Sequence, residues 1–232
     1  MLDNESLLGE YLFTGEKAHS ERLLAMIDRL LADSACSIKD IDLFAVSLGP
    51  GSFTGLRVGI STAQGLALAA GKEIVGIPTL EAIAFQACGY CDHICPMVIA
   101  RGQEVYTGLY RSPAPGDLEQ VREETVADPE AWLAGISEET VFLGSGAVRH
   151  RKTIEALLGT KARVLPSLAG LARASSVAAL ALSRFTGERQ YAPVTIAPRY
   201  IKMPEAELLF GKPAGSFQPV DRKASGRDEA KR

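Results

Sequence analysis

The sequence has little cysteine, little histidine and almost no net charge. Four cysteines and three histidines stand in 232 residues, too few cysteines for a disulfide scaffold, and this usage suits a reducing compartment. Lysine and arginine number 25 against 28 aspartates and glutamates, which gives a formal charge of −3. Because a chain without a basic excess is not built to neutralise many phosphates, we do not expect it to bind nucleic acid alone.

Long hydrophobic runs are also missing. No segment reaches the roughly 18 apolar residues that a membrane helix needs. The first residues, Met-Leu-Asp-Asn-Glu-Ser, lack the basic start and apolar run of a secretory signal. We therefore expect a cytoplasmic protein with no membrane contact.

The apolar pattern that is present predicts strands alternating with helices, which is typical of an α/β fold. In the first part of the chain it predicts a strand over 5–13, a helix over 20–31 capped by Ser20, a strand over 43–48, a helix over 56–70, a strand over 73–77 and a helix over 79–87 capped by Thr79. In the second part it predicts a meander of strands over 97–100, 104–111 and 121–127, a helix from Pro129, a strand over 141–143, a helix ending at Leu158, a strand over 163–165 and a helix over 175–185.

These elements divide into two similar α/β units without a residue-level repeat. We predict a first half over 1–90 and a second half over 91–210. The polar residues 211–232 are broken by proline and glycine, so we predict a disordered tail there.

The glycine-rich segment between the predicted strand over 43–48 and the next helix is the most informative motif. Gly49, Gly51, Ser52 and Thr54 stand where backbone amides and a helix N-terminus suit a phosphate. The segment lacks the lysine of a Walker loop, and the third glycine of a dinucleotide fingerprint would fall on Thr54. A phosphate or nucleotide loop and a purely structural turn therefore stay open.

Four small residues recur every four positions in the helix that follows. Gly55, Gly59, Ala63 and Ala67 form a stripe that permits close approach of another element, either the protein's own sheet or a partner's helix. The pattern alone slightly favours internal packing. Each glycine inside a helix nevertheless costs about 1 kcal/mol relative to alanine, which indicates that something packs closely there.

Cys88, Cys91 and Cys95 stand near His93 and form a weak candidate for a metal site. Their spacing is irregular and a second ligand pair is missing from the sequence, so thiols without a metal are favoured. The hydrolase motifs Gly-x-Ser-x-Gly and His-Glu-x-x-His are both absent from the sequence. The motifs therefore assign no catalytic residue.

The segment Ser-Leu-Gly-Pro-Gly-Ser-Phe-Thr-Gly-Leu-Arg-Val-Gly, residues 47–59, resembles the hallmark of the TsaB family, also called YeaZ. Further matches occur in order along residues 7–207: His19-Ser20-Glu21, Leu80-Glu81-Ala82, Glu104-Val105-Tyr106 and Pro198-Arg199-Tyr200-Ile201. The resemblance implies an actin-like, sugar-kinase-like fold made of two RNase-H-like halves.

The resemblance also implies a function. Members support the threonylcarbamoyl modification of the adenosine next to the anticodon in tRNAs that read ANN codons. They act as non-catalytic subunits that form a heterodimer with the catalytic TsaD subunit and work with the TsaE ATPase, so that tRNA is met only through the complex. The metal-binding histidines of the catalytic subunit fall by analogy near Thr79 and Ile83, neither of which would replace an imidazole.

The same resemblance assigns the partner interface to the first two helices. It comprises Leu23, Ile27, Gly55, Gly59, Ala63 and Ala67. A homodimer through this surface, and ATP or ADP at a subunit interface near Gly49, Gly51, Ser52 and Thr54, stay open; no other cofactor is expected.

The chain departs from the family pattern in two places. It begins near the family's second strand, so we expect either that an N-terminal β-hairpin has been truncated or left out of the gene assignment, or that the sheet has rearranged. The sequence Val-Ile-Ala-Arg, residues 98–101, lacks the aspartate that the family carries before Ala-Arg. An ATP-dependent phosphotransferase of the same fold is the alternative function, and a metal-dependent glycoprotease is a less favoured one.

Overall fold

The computed structural model of the chain describes residues 1–14, 19–185 and 196–201, with only the backbone for residues 19–21. The strands are β1 (Leu2–Asp3), β2 (Ser6–Leu7), β3 (Leu43–Ser47), β4 (Glu73–Ile77), β5 (His93–Ile99), β6 (Val105–Arg111), β7 (Glu119–Ala127), β8 (Thr140–Leu143) and β9 (Ala162–Val164). The helices are α1 (His19–Asp33), α2 (Phe53–Ala70), α3 (Thr79–Phe85), α4 (Pro129–Leu133), α5 (Ser145–Arg149), α6 (Arg151–Leu158) and α7 (Ala174–Arg184).

Two parallel strands form the first sheet. β3 and β4 pair in register from Leu43 opposite Glu73 to Ser47 opposite Ile77, and α2 and α7 each pack against both strands. Ile74 and Ile77 of β4 are fully buried, whereas every residue of β3 is only half-buried. Among the described residues, no further strand pairs with either edge of this sheet.

The second sheet has five strands in the order β7-β6-β5-β8-β9. The meander β5-β6-β7 is antiparallel, and β8 and β9 continue the sheet in parallel with β5. One face packs Cys95 and Phe142 against Trp132 and Ile154 from α4 and α6. Both faces are covered, as is usual for a sheet with parallel strands.

Helix α3 joins the two sheets. Its residues 79–84 are all buried: Ile83 packs against Ile94 and Tyr110 of the second sheet, and Ala82 packs against Val75 and Ile77 of the first. A charged residue on this helix, Glu81, is consequently buried as well.

The predicted α/β order and the meander are confirmed, but three details are wrong. Residues 5–13 form no long strand: in the described part of the chain only Ser6–Leu7 pair, with Leu2–Asp3 of β1. Thr79 does not cap α3: it is the first helical residue, and its hydroxyl lies 2.6 Å from Ser47 Oγ. The helix ending at Leu158 is two helices that meet at His150.

Several expectations concern residues outside the described ranges. The predicted tail over 211–232 lies there, and so does the side chain of Ser20, whose backbone already belongs to α1. The boundary between halves at residue 90 stays a prediction. No helix within the described residues is both long and apolar enough to cross a membrane.

The segment after β2 is held by a carboxylate that caps another helix. Glu10 accepts hydrogen bonds of 2.8 Å from both the backbone N–H and the hydroxyl of Ser175 in the first turn of α7, and it forms an ion pair with Arg173. Burial alone would raise the pKa of Glu10, but the bonds from Ser175 and Arg173 outweigh it and leave the pKa below its ordinary value. The carboxylate therefore stabilises the fold in its charged form.

We expect Glu10→Ala to lower the free energy of unfolding by about 1–2 kcal/mol at neutral pH, the usual cost of losing a helix cap. Because the folded pKa of Glu10 is depressed, its contribution is complete above the ordinary glutamate pKa and is lost as the pH falls through the folded value. Urea unfolding at pH 7 and pH 3 measures both effects. Glu5→Ala, an exposed carboxylate of the same segment, is the control, and equal losses in the two variants would contradict the assignment.

Candidate functional site

The glycine loop, residues 48–52, connects β3 to α2 and is fixed from three sides. Gly49 O accepts a 2.8 Å bond from the Thr79 N–H at the start of α3. Ser52 is the N-cap of α2: its hydroxyl accepts from the Gly55 N–H at 3.3 Å, and its carbonyl accepts from the Leu56 N–H at 2.8 Å. The loop therefore has a clear structural task at the helix start.

A second segment lies across this loop. The clasp, residues 196–201, donates the Arg199 N–H to Leu48 O at 2.8 Å, and Gln64 of α2 donates to Ile196 O at 2.8 Å. A Cβ on Gly49 would come within 3.1 Å of Arg199 O. Glycine is favoured at this position chiefly by its φ of 107°, and the close backbone approach adds to the preference.

An aromatic and cationic stack fastens the far end of the clasp. The rings of Phe53 and Tyr200 stack with centroids 5.5 Å apart. The Arg57 guanidinium lies 3.9 Å from the Phe53 ring centroid, and its Nε donates to the Tyr200 hydroxyl at 3.1 Å. The clasp therefore occupies the face of α2 that presents residues 53, 57 and 64.

The small-residue stripe occupies a neighbouring face of α2 and is not uniformly buried. Ala67 is fully buried. At Gly59, in contrast, an added Cβ would meet no atom within 4 Å. Internal packing therefore explains the C-terminal end of the stripe, whereas no contact within the described part of the chain requires glycine at position 59.

The predicted interface residues of α1 lie on a helix that packs against α2. Leu23 and Ile27 are both half-buried. Large apolar side chains stay exposed on both helices: Leu24 is 54% exposed and Leu68 is 67% exposed. No residue of α1 with a described side chain is fully buried, so α1 covers little core for its length.

A cluster of two buried carboxylates and their partly exposed arginine partners, which sequence reasoning missed, lies between the second sheet, α3, α7 and the clasp. Tyr110 on β6 donates to Glu124 Oε1 at 2.5 Å, and Arg199 Nη1 lies 3.1 Å from Glu124 Oε2. Glu81 of α3 forms an ion pair with Arg184 of α7. Burial raises the pKa of both carboxyls, and the neighbouring arginines offset this only in part.

The three cysteines proposed as a weak metal candidate are not brought together. Cys95 is fully buried, with its Sγ 3.3 Å from both Thr107 Oγ1 and Trp132 Nε1. Cys88 and Cys91 pack against the cluster that contains Ile94 and covers the opposite face of β5. Burial raises the pKa of the Cys95 thiol to about 11, which keeps it protonated and unsuited to metal binding.

Comparison with known proteins identifies a family for this chain. Residues 14–209 match the family model described as TsaD: tRNA N6-adenosine threonylcarbamoyltransferase. The tRNA threonylcarbamoyladenosine biosynthesis protein TsaB of Bacillus subtilis is 32% identical over 214 residues, which cover 90% of this chain and 91% of that relative. The protein of the same name from Escherichia coli is 33% identical over 148 residues, 62% of this chain and 64% of the relative.

Two solved structures from Pseudomonas aeruginosa share the fold. One, an uncharacterized protein with similarity to peptidase YEAZ, is 26% identical with a TM-score of 0.64 and covers 80% of this chain and 85% of its own. The other, YeaZ, superimposes with a TM-score of 0.67 over 79% of this chain and 84% of its own. From the family model and the extent of the Bacillus match, the chain belongs to the TsaB (YeaZ) family and has its actin-like, RNase-H-like α/β fold.

Proposed function

We propose that this chain is a non-catalytic subunit that supports the threonylcarbamoyl modification of tRNA by docking onto a TsaD-like catalytic subunit through α1 and α2. The names of the relatives support the pathway, since TsaB of Bacillus subtilis is described as a tRNA threonylcarbamoyladenosine biosynthesis protein. In this proposal a TsaE-like ATPase joins the same complex, and tRNA is met only through it.

The docking proposal rests on Gly59, the open glycine of the stripe, which has free space around the position of a Cβ. Gly59 lowers the helix propensity of α2 by about 1 kcal/mol relative to alanine. Among the described residues no contact requires it, because a Cβ there meets nothing within 4 Å. A helix packed at 8–10 Å from a partner's helix does require a small residue at the crossing point. Leu24 on the adjacent helix α1, which packs against α2, adds exposed apolar area, which is typical of docking faces.

The side chains at Thr79 and Ile83 support a non-catalytic role. Thr79 uses its hydroxyl at 2.6 Å from Ser47 Oγ, and Ile83 is 2% exposed inside an apolar cluster. Neither offers a ligand where the resemblance puts the catalytic subunit's metal-binding histidines. The raised pKa values of Cys88, Cys91 and Cys95 also make these thiols poor nucleophiles.

Nucleotide at the subunit interface stays a prediction. The Ser52 hydroxyl already accepts the Gly55 N–H, and the Arg199 carbonyl faces Gly49, so part of the polar surface of the glycine loop is used within the chain. A homodimer through α1 and α2 stays a prediction too. The phosphotransferase and glycoprotease alternatives have no supporting contact among the described residues.

We expect a reconstituted modification reaction to distinguish a supporting subunit from a catalytic one. The TsaD-like and TsaE-like proteins of the same organism, supplied with tRNA and the threonylcarbamoyl donor, should form threonylcarbamoyladenosine at least about tenfold faster when this chain is added. The chain alone should form none. The readout is nucleoside mass spectrometry of digested tRNA. Modification by the chain alone would contradict the non-catalytic assignment, and no effect of its addition would contradict the subunit assignment.

A further inference from the structure

Besides the Arg199 N–H to Leu48 O hydrogen bond on the glycine loop, the clasp is held at two places by different chemistry. Stacking of Tyr200 on Phe53 and the bond from Gln64 to Ile196 attach it to α2. Arg199 attaches it to β7 of the second sheet through Glu124. The first attachment does not depend on the charge of any carboxylate, whereas the second consists of an ion pair.

The charge of Glu124 has one close counter-charge among the described residues. Its side chain is completely buried, and Oε2 accepts no well-aligned hydrogen bond. Oε1 receives the Tyr110 hydroxyl, a neutral donor. A buried carboxylate without a nearby cation is strongly disfavoured, so the charged state of Glu124 requires Arg199 to stay in place, and Arg199 is held there by that charge.

Four titratable groups around Glu124 influence whether its carboxyl is charged. They are Tyr110 from β6, Glu81 from α3 with its partner Arg184 from α7, and Arg199 from the clasp. Burial raises the pKa of Glu124, Tyr110 and Arg199 lower it in part, and the nearby Glu81 raises it further. The carboxyl therefore takes up a proton at a higher pH than an exposed glutamate.

We propose that the clasp is an acid-released strap: when Oε2 of Glu124 takes a proton from solvent, the ion pair with Arg199 is discharged and the clasp leaves β7. The Arg199 N–H to Leu48 O hydrogen bond then opens and uncovers Gly49, while Tyr200 stays stacked on Phe53. This device goes beyond the proposed function and does not depend on any partner.

The direction in which pH changes stability distinguishes release of the clasp from unfolding of the whole chain. Because the folded pKa of Glu124 is raised, the folded state binds this proton more readily than the unfolded state does, so protonation at this group does not lower global stability. Arg199 lowers the pKa of Glu124 while the clasp is closed, so loss of this cation from the still-buried carboxyl raises its proton affinity, and protonation favours release. The expected signature is faster amide exchange at the clasp with unchanged exchange in the core.

Hydrogen exchange of the Arg199 amide in the full chain tests the strap. Glu124→Gln mimics the protonated carboxyl and should raise the exchange rate of this amide at pH 7, corrected for the intrinsic rate, by about tenfold or more. In the unchanged protein the same amide should lose protection as the pH is lowered. Glu123→Gln removes the same charge from the adjacent, exposed residue of β7 and should change nothing.

Glu124→Gln could also loosen the core, so a second pair of variants tests the same ion pair from the Arg199 side. Arg199→Lys retains the cation, so the amide of residue 199 should stay protected. Arg199→Gln removes the cation, so this amide should exchange faster than in the unchanged protein. The difference should be largest at pH 7, where Glu124 is charged, and smaller at acid pH, where it is protonated. Core amides such as that of Ile94 report global stability in the same spectra. Full protection of Arg199 in Glu124→Gln, or equal loss in Arg199→Lys and Arg199→Gln, would overturn the proposal.

Discussion

Replacing Gly170 with alanine is expected to lower the free energy of unfolding by about 3 kcal/mol, because its Cβ would have to enter space that backbone already fills. Gly170 ends the short helical turn after β9 and packs directly on the loop that follows β8. An added Cβ would overlap the N and Cα atoms of Gly144 and lie 3.1 Å from the carbonyl carbon of Leu143. Backbone atoms cannot swing aside as a flexible side chain does.

The loop that Gly170 contacts is itself unable to move. Gly144 has a φ of 104° and lies against the Met97 carbonyl of β5, and Ser145 accepts the Ile99 N–H at 3.1 Å. The strain from a methyl group at position 170 would therefore pass into β5 and β8, the centre of the second sheet.

Urea unfolding of Gly170→Ala, compared with Gly65→Ala, measures this effect. Gly65 is an exposed residue of α2 where an added Cβ meets nothing within 4 Å, so alanine there should raise stability by about 0.5–1 kcal/mol through helix propensity. The two identical substitutions should thus act in opposite directions. A Gly170→Ala variant within about 1 kcal/mol of the unchanged protein would show that the loop does adapt.

Local sequence patterns predicted the elements whose stability is set locally. The apolar run at residues 73–77 coincides with β4, and Gly71, with a φ of 65°, ends α2 as a helix-closing glycine. The glycine loop was correctly placed between a strand and a helix. In these places propensity, capping and periodicity all favour the same structure.

Elements that need a distant partner were predicted less well. Residues 5–13 carry apolar side chains suited to a strand, but a strand forms only where another pairs with it, and Glu10 instead caps α7 from 165 residues away. Thr79 has the chemistry of a helix cap, yet its hydroxyl is used by Ser47 on the neighbouring strand.

The buried charge cluster could not be derived from the sequence. Glu81, Tyr110, Glu124, Arg184 and Arg199 stand on five different segments of the chain. The matches at Leu80-Glu81-Ala82 and Pro198-Arg199-Tyr200-Ile201 identified two of them as family features without indicating that they meet. Their proximity follows from the packing of α3 between two sheets, which only the folded chain shows.

The prediction with the largest expected effect on binding concerns the open glycine of α2. Gly59→Arg is expected to weaken association with the TsaD-like subunit by about 100-fold or more, since a long charged side chain at a close helix crossing prevents the approach and would be buried without a partner. The isolated chain should stay folded, because the added Cβ meets no atom within 4 Å and arginine has the higher helix propensity.

Gly65→Arg is the matched control for this substitution. It lies on the same helix and is equally free of contacts around its Cβ, but six residues further on it faces a direction about 120° away from Gly59. Calorimetric titration with the TsaD-like subunit should show normal affinity for Gly65→Arg and lost affinity for Gly59→Arg, with both proteins melting as cooperatively as the unchanged chain. Equal affinities would place the partner elsewhere. Equal losses would mean that added charge, and not the shape of this one face, controls association.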